Sequence, residues 1–327
     1  MILKCNHKKA RTDGMELFST TMGRMAFLFS LLLIGYLLVK LKVLDVASAG
    51  VLSKLENKVF LPALMLGMFL SGFTTERLAK SGWMFLAGVA VLVVTVPLAI
   101  LGARLCTRDG YLRSIYTYGL SFSNFGFMGN AVVSVLFPEI FAEYLVFTLP
   151  FWILIQLWGI PTLLISSDGK QPSIGKSLKA LCNPMLIGML IGMIIGISGL
   201  TLPTWLSSLV TETGACMSPV AMILTGMTVA GIDLGATVKN ASIWKVSLLR
   251  PVAFPVVGLI ILVLLPIPEA YRICILCVLA MPLGRNTVVV PSAYGRDTTA
   301  AAGMALISHV LSCITIPLIF LAFQTFI

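Results

Sequence analysis

Polar side chains interrupt the long apolar stretches of this chain in two short segments. The first segment contains two asparagines, Asn124 and Asn130, and two glycines, Gly126 and Gly129. Each asparagine amide can donate and accept hydrogen bonds, and the helical pattern of the neighbouring residues fails here. The combination predicts a binding site for a small polar solute at an interrupted helix.

The second segment runs from Pro282 to Pro291 and contains Arg285, Asn286 and Thr287. A proline inside a helix removes one backbone hydrogen bond and clashes with the preceding turn, at about 3 kcal/mol. An arginine near the centre of an apolar stretch costs about 2.5–3.5 kcal/mol on insertion scales. Because guanidinium pairs bidentately with carboxylate, the segment predicts a site for an organic anion, with the two prolines breaking the helix.

Each feature also has a structural interpretation. Asparagine and glycine join helices by hydrogen bonding and close packing. Arg285 can extend to the cytoplasmic end of its helix, or pair with an acidic loop residue such as Asp233 or Asp297. His309 lies in the last apolar stretch and is a candidate for coupling to protons, because histidine titrates near neutral pH. The alternative is a neutral histidine hydrogen-bonded between helices.

Residues for other kinds of chemistry are scarce. The chain has 2 histidines, and few acidic residues lie within apolar stretches, whereas acid–base or metal catalysis clusters such groups. Cys274 and Cys277 form a C-x-x-C without a second pair or nearby histidines. No G-x-x-x-x-G-K-[ST] loop for ATP is present. We therefore predict no enzyme, no metal and no cofactor.

The composition predicts a membrane protein. Of 327 residues, 58% are hydrophobic and 11% are charged, against about 25% charged in a soluble domain. The net charge of +10 comes from Lys and Arg in short connections, where such residues face the cytoplasm. We therefore expect the protein to lie in a lipid bilayer, and we predict no nucleic-acid partner.

Apolar blocks of helical length predict about ten transmembrane helices in an all-α protein. They lie near residues 17–39, 51–71, 83–105, 112–135, 141–165, 184–200, 204–230, 243–265, 271–291 and 299–324. Arg24 and Arg250 lie near span ends, where long basic side chains reach the membrane surface. The odd-numbered connections carry most Lys and Arg, which predicts a multi-pass protein of the plasma membrane with both termini outside the cytoplasm.

The two halves of the chain resemble each other. Gly129-Asn130-Ala131-Val132-Val133 in span four corresponds to Arg285-Asn286-Thr287-Val288-Val289 in span nine. Two repeats of five spans must run in opposite directions, because five is odd. We predict a polar tail (1–15), a first five-helix repeat (16–165), a cytoplasmic link (166–182) and a second, inverted repeat (183–327). Interruptions at matching places in such repeats indicate a transport site.

Several ordered motifs resemble the auxin efflux carrier family from about residue 17 to the end. In the first half these are Leu33-Ile34-Gly35-Tyr36, Leu61-Pro62-Ala63-Leu64, and Asn124 with Gly126-Phe127-Met128-Gly129. In the second half they are Asn183-Pro184, Ser218-Pro219 with Gly226, Met281-Pro282 with Asn286, Tyr294-Gly295 with Asp297, and Ile316-Pro317-Leu318.

The resemblance implies a fold in which broken helices four and nine cross at the site, with an elevator-like motion of one bundle. It also implies a possible homodimer and, since the link is short, a bacterial-type member similar to malate and malonate permeases. Three residues depart from the family pattern: Ala131 replaces proline, Arg285 a small or apolar residue, and His309 threonine.

The sequence thus predicts a secondary carrier of a small mono- or dicarboxylate that works by alternating access. Binding residues would be Asn124, Gly126, Gly129, Asn130, Pro282, Arg285, Asn286 and Thr287. H⁺ or Na⁺ is the expected coupling ion, unless the membrane potential or substrate exchange supplies the energy. The alternative is an anion channel, or a membrane sensor that binds a carboxylate without transporting it.

Overall fold

A computed structural model describes residues 2–72, 75–165, 183–231 and 239–326. The predicted cytoplasmic link (166–182) and Asp233 lie outside the described residues. In the first half, the α-helices are α1 (Ile2–Lys40), α2 (Ser48–Leu55), α3 (Leu61–Gly72), α4 (Thr75–Cys106), α5 (Gly110–Ser121), α6 (Asn130–Leu136) and α7 (Phe141–Leu154). π-Helical segments follow α2, precede α6 and follow α7, at Glu56–Phe60, Phe125–Gly129 and Ile155–Ile165.

The second half also consists of α-helices and a π-helical turn. Its α-helices are α8 (Pro184–Ser198), α9 (Thr204–Ala215), α10 (Met217–Ala230), α11 (Ala241–Leu248), α12 (Phe254–Leu264), α13 (Glu269–Ala280), α14 (Asn286–Ala293) and α15 (Thr299–Phe326). A π-helical turn, Leu249–Ala253, joins α11 to α12.

The helices confirm the expected class of protein. Six stretches of the described residues are long and apolar enough to cross a membrane. They are Phe18–Lys40, Gly82–Cys106, Pro138–Ile165, Thr204–Ala230, Ala241–Leu264 and Thr299–Thr325. Two further apolar helices, Phe125–Leu136 and Pro184–Ser198, are shorter. The total of ten spans, the domain boundaries and the inverted relation of the halves stay predictions.

The helices form two groups that pack against each other. In the first bundle, α1 packs against α10, and α3 packs against α8 and α9. In the second bundle, α4 packs against α5 and α7, α11 and α12 pack against α15, and α12 packs against α13. The long helices α1 and α15 join the two bundles.

Glycines permit the closest contact within the first bundle. A methyl group on Gly35 of α1 would overlap the carbonyl of Ile223, and one on Gly226 of α10 would overlap the carbonyl of Leu32. Small residues at a helix interface let two backbones approach, which is how helices associate in a membrane.

Two helices are interrupted within the second bundle. α5 ends at Ser121, and Phe122 is extended before the π-helical turn starts at Phe125. α13 ends at Ala280, and Met281 is extended. A residue that precedes proline is disfavoured in the helical conformation, so Pro282 explains why α13 ends where it does.

Candidate functional site

The two interrupted segments cross each other inside the protein. Ser123 and Leu283 form an antiparallel bridge, and the Asn124 N–H donates to the Pro282 carbonyl at 2.8 Å. The Ser123 hydroxyl donates to the Val278 carbonyl, also at 2.8 Å. Lipid has no donors or acceptors for interrupted backbone, so such segments persist only where protein or water pairs with them. The two interrupted segments therefore satisfy some of each other's free backbone donors and acceptors.

Arg250 binds the ends of both broken helices. Its side chain is fully buried, and it donates to the carbonyls of Leu120 at 2.7 Å and Val278 at 2.8 Å. These carbonyls lie in the last turns of α5 and α13, where the helix dipole is negative. The expectation that Arg250 reaches the membrane surface is therefore wrong, because carbonyls near the crossing accept its hydrogen bonds.

Asn124 is held by His309 in the buried interior. The distance from Asn124 Nδ2 to His309 Nε2 is 2.9 Å, and His309 Nδ1 lies 2.7 Å from the Ala305 carbonyl. A carbonyl only accepts, so Nδ1 donates and Nε2 accepts the amide proton, which describes a neutral imidazole. Asn124 Oδ1 has no hydrogen-bond partner among the described residues. The geometry favours an orienting role for His309, and proton coupling by His309 stays a prediction.

Asn286 and Thr287 begin α14 on the other side of the crossing. Asn286 Nδ2 donates to the Tyr118 hydroxyl at 3.0 Å. The Thr287 hydroxyl donates to the Gly284 carbonyl at 2.8 Å, which ties the start of the helix to the break. Tyr118 was not predicted as a site residue, because the sequence does not distinguish an aromatic residue in an apolar helix from an ordinary core residue.

Arg285 lies at the crossing and is 3% exposed. Its Nη1 forms an ion pair with Glu56 Oε2, and its guanidinium lies over the Phe127 ring at 4.3 Å from the centroid. Arg285 Nε and Nη2 have no hydrogen-bond partner among the described residues. The guanidinium therefore keeps unused donors in a buried place.

Glu56, the partner of Arg285, was missed by sequence analysis. Asp297 was considered as partner, but its Oδ1 accepts instead from the N–H and hydroxyl of Thr299, at 2.9 and 2.6 Å. The hydrogen bond from the Thr299 hydroxyl, and then the one from the Thr299 N–H, lower the pKa of Asp297. Glu56 carries no local signal, because it lies between exposed lysines, Lys54 and Lys58, at the start of a helix.

The glycines of the two breaks lie in tight packing. A methyl on Gly126 would overlap the Trp152 ring, and one on Gly129 would overlap the Tyr144 hydroxyl. A methyl on Gly284 would lie 2.6 Å from the Phe122 carbonyl. Gly284 is therefore needed for the crossing, where the two backbones are in contact, whereas Gly126 and Gly129 leave room for the side chains of Trp152 and Tyr144.

We expect Gly284→Ala to destabilise the protein by about 1–3 kcal/mol, the usual effect of overpacking. The added methyl meets backbone, which cannot rotate away as a side chain can. Thermal unfolding in detergent measures the effect. The control is Gly50→Ala in α2, where nothing lies within 4 Å of the added carbon. Equal melting temperatures for the two variants would contradict the packing described.

Pro291 does not break a helix. It lies inside α14, which continues to Ala293, so the prediction of a break at Pro291 is wrong. Its missing N–H removes a single hydrogen bond, to Thr287, and the helix is followed by Gly295 at φ +67°. The break of span nine lies before Asn286 instead.

The space around the crossing is small. A cavity of about 10 Å³ is lined by Asn124, Trp152, Arg285 and Asn286 among others, and a second of about 10 Å³ lies beside Arg285 and His309. Each has room for roughly one water molecule. Trp152 Nε1 also has no partner among the described residues. Side chains must move before a larger solute can reach these groups.

A wider cleft lies between α1, α3, α6, α9 and α10. Its volume is about 460 Å³, and Arg24, Asn130, Ser134 and Ser218 line it. Both polar atoms of the Asn130 side chain lack a hydrogen-bond partner in the described part of the chain. Asn130 therefore lines a different cavity from Asn124 and Asn286, and the cleft is large enough for a small organic solute.

The described residues contain no group of three or more His, Cys, Asp or Glu side chains that could hold a metal ion.

A family model described as membrane transport protein matches residues 20–177 and 170–320. Comparison with curated proteins finds no match. The two matched regions together cover most of the chain, including both broken helices.

Proposed function

Because the chain belongs to the membrane transport protein family of the auxin efflux carriers, we propose that it is a secondary carrier of a small organic anion. The substrate class is a mono- or dicarboxylate, and transport proceeds by alternating access. One observation supports the anion above all: Arg285 is buried at the crossing with two guanidinium nitrogens unpaired. A buried cation with free donors attracts a carboxylate.

The other free groups at the crossing suit a carboxylate that also carries a hydroxyl. Trp152 Nε1 is a donor without a partner, and it lines the same small cavity as Arg285. Asn124 Oδ1 is an acceptor without a partner, which matches a hydroxyl proton. The start of α14 adds the partial positive charge of a helix N-terminus. A hydroxycarboxylate such as lactate therefore has a partner for its carboxylate and for its hydroxyl, and malate has a partner for its hydroxyl and for one of its two carboxylates.

Transport requires the two bundles to move relative to each other. The small cavities at the crossing cannot admit a carboxylate as they stand, whereas the cleft of about 460 Å³ beside Asn130 can. Asn130 and Arg24 would meet the anion first, before it reaches Arg285. Alternation then consists of opening the crossing to one side of the membrane at a time.

Asn124→Ala and Asn286→Ala are each expected to weaken uptake of malate or lactate in proteoliposomes about 3- to 10-fold. Each substitution removes one hydrogen-bonding amide at the crossing, worth about 0.5–1.5 kcal/mol. Asn240→Ala is the control, because Asn240 only caps α11 at the surface. Wild-type uptake with no loss in either site variant would count against the proposed site.

The kinetics of flux separate a carrier from the channel and sensor alternatives. A carrier saturates and shows counterflow, in which unlabelled substrate inside the vesicle drives uptake of labelled substrate from outside. A channel passes the anion without counterflow, and a sensor binds it without flux. We expect saturation and counterflow, because the described crossing contains no continuous opening as wide as a carboxylate.

A further inference from the structure

Glu56 is a fully buried carboxylate in the first bundle, whereas its partner Arg285 belongs to the crossing in the second bundle. The π-helical turn that carries Glu56 packs against α8, α9 and α10. The ion pair therefore joins the two groups of helices that must move relative to each other. Any movement of one bundle relative to the other must therefore change or break the contact between Glu56 and Arg285.

The ion pair is incomplete on both sides. Glu56 uses Oε2 and leaves Oε1 without a partner among the described residues, while Arg285 uses Nη1 and leaves Nε and Nη2. A buried ion pair is stable only when its remaining donors and acceptors are also satisfied. Nε and Nη2 of Arg285 can donate hydrogen bonds to a second carboxylate while Glu56 stays in contact with Nη1.

The net charge of the buried site determines whether a second carboxylate can bind there. Arg285 and an ionised Glu56 sum to zero, so an arriving carboxylate would add a net negative charge to a buried site, which is strongly unfavourable. For a monocarboxylate, a proton on Glu56 restores neutrality, whereas a dicarboxylate would still leave one net negative charge. Protonated Oε1 also becomes a donor, which can bind the arriving anion.

Resting on the proposed function, we infer that Glu56 is the proton-binding residue of the carrier. When a substrate carboxylate binds the free edge of Arg285, the Glu56 carboxylate takes one proton from a hydronium ion of the solvent and becomes a carboxylic acid. One O–H bond of hydronium breaks and leaves a water molecule, one O–H bond forms on Glu56, and no atom is oxidised or reduced. Anion and proton then occupy the site together, and release of the anion returns the proton.

The other ionisable groups near Glu56 are exposed or already hydrogen-bonded, so Glu56 is the group that takes up this proton. Lys54 and Lys58 on the same helix are exposed, as is Glu212 of α9. α3, α8 and α10, which also pack against the turn, carry no ionisable side chain. His309 lines the cavity beside Arg285, but its two ring nitrogens are already engaged by Asn124 and Ala305.

Titration calorimetry of the whole protein tests the inference. Malate and lactate are titrated at pH 7 in buffers that differ in ionisation enthalpy, which reveals the number of protons taken up per bound anion. We expect about one proton per bound lactate for the wild type, and affinity for lactate that rises up to tenfold for each unit of pH decrease. The wild-type measurement requires no substitution and so does not depend on how a variant folds.

Glu56→Gln mimics the protonated state, so proton uptake is expected to fall to about zero with binding retained. Glu139→Gln, at an exposed carboxylate, should keep the wild-type value. Anion binding by the wild type without proton uptake would overturn the inference and leave the proposed function standing. Proton uptake that survives in Glu56→Gln and disappears in His309→Gln would assign the proton to His309 and also overturn it. Absence of binding by either anion at any pH would overturn both proposals.

Discussion

Replacing Arg285 by glutamine is expected to abolish carboxylate binding and to destabilise the protein by about 3–5 kcal/mol. The large loss of stability arises because Glu56 would remain buried without a counter-charge. Loss of binding arises because the guanidinium is the cation at the crossing to which we assign the anion. Thermal unfolding in detergent gives the stability, and binding of malate and lactate gives the affinity.

A double variant separates the two effects of Arg285. In Arg285→Gln with Glu56→Gln, no unpaired charge remains, so most of the lost stability is expected to return, while carboxylate binding stays absent. The difference measures the coupling between the two side chains. Two results would contradict this account: a double variant as unstable as Arg285→Gln alone, or one that binds carboxylate as tightly as the wild type.

Arg250→Met is expected to have the second large effect, because it removes the donors to two buried carbonyls. An unsatisfied buried acceptor costs about 1–3 kcal/mol. The Leu120 carbonyl would lose its donor in Arg250, and the Val278 carbonyl would keep the Ser123 hydroxyl as a donor. The substitution also removes the positive charge beside the negative ends of α5 and α13. We expect a large decrease in melting temperature together with weaker anion binding, because the crossing loses a support for both broken helices.

Two companion variants make the result specific. Arg250→Lys keeps the charge but lacks the planar fork that reaches two carbonyls at once, so its melting temperature should lie between those of the wild type and Arg250→Met. Arg272→Met is the control, since Arg272 donates to the exposed Leu265 carbonyl at the surface, and it should change stability little. A melting temperature for Arg250→Met equal to that of the control would show that the crossing does not depend on Arg250.

The sequence by itself was sufficient for the class of protein and for the end of α13, but not for the predicted break at Pro291. Low charge and long apolar stretches require a membrane, because a water-facing surface cannot be made from so few charged residues. The end of α13 follows from Pro282, which forces its neighbour Met281 out of the helical conformation. Such effects act within a few residues along the chain, so they can be read from the order of residues.

The tertiary structure alone decided which groups meet. Glu56 and Arg285 are separated by 229 positions, and Arg250 reaches Leu120 across 130. The predicted repeat aligns Asn130 with Asn286, yet the two residues line different cavities. The partner of a buried charge depends on how whole helices pack, because a distant residue must arrive at hydrogen-bonding distance while lipid and water are excluded. Local sequence shows that Arg285 needs a partner, and only the packing of the two bundles shows that the partner is Glu56.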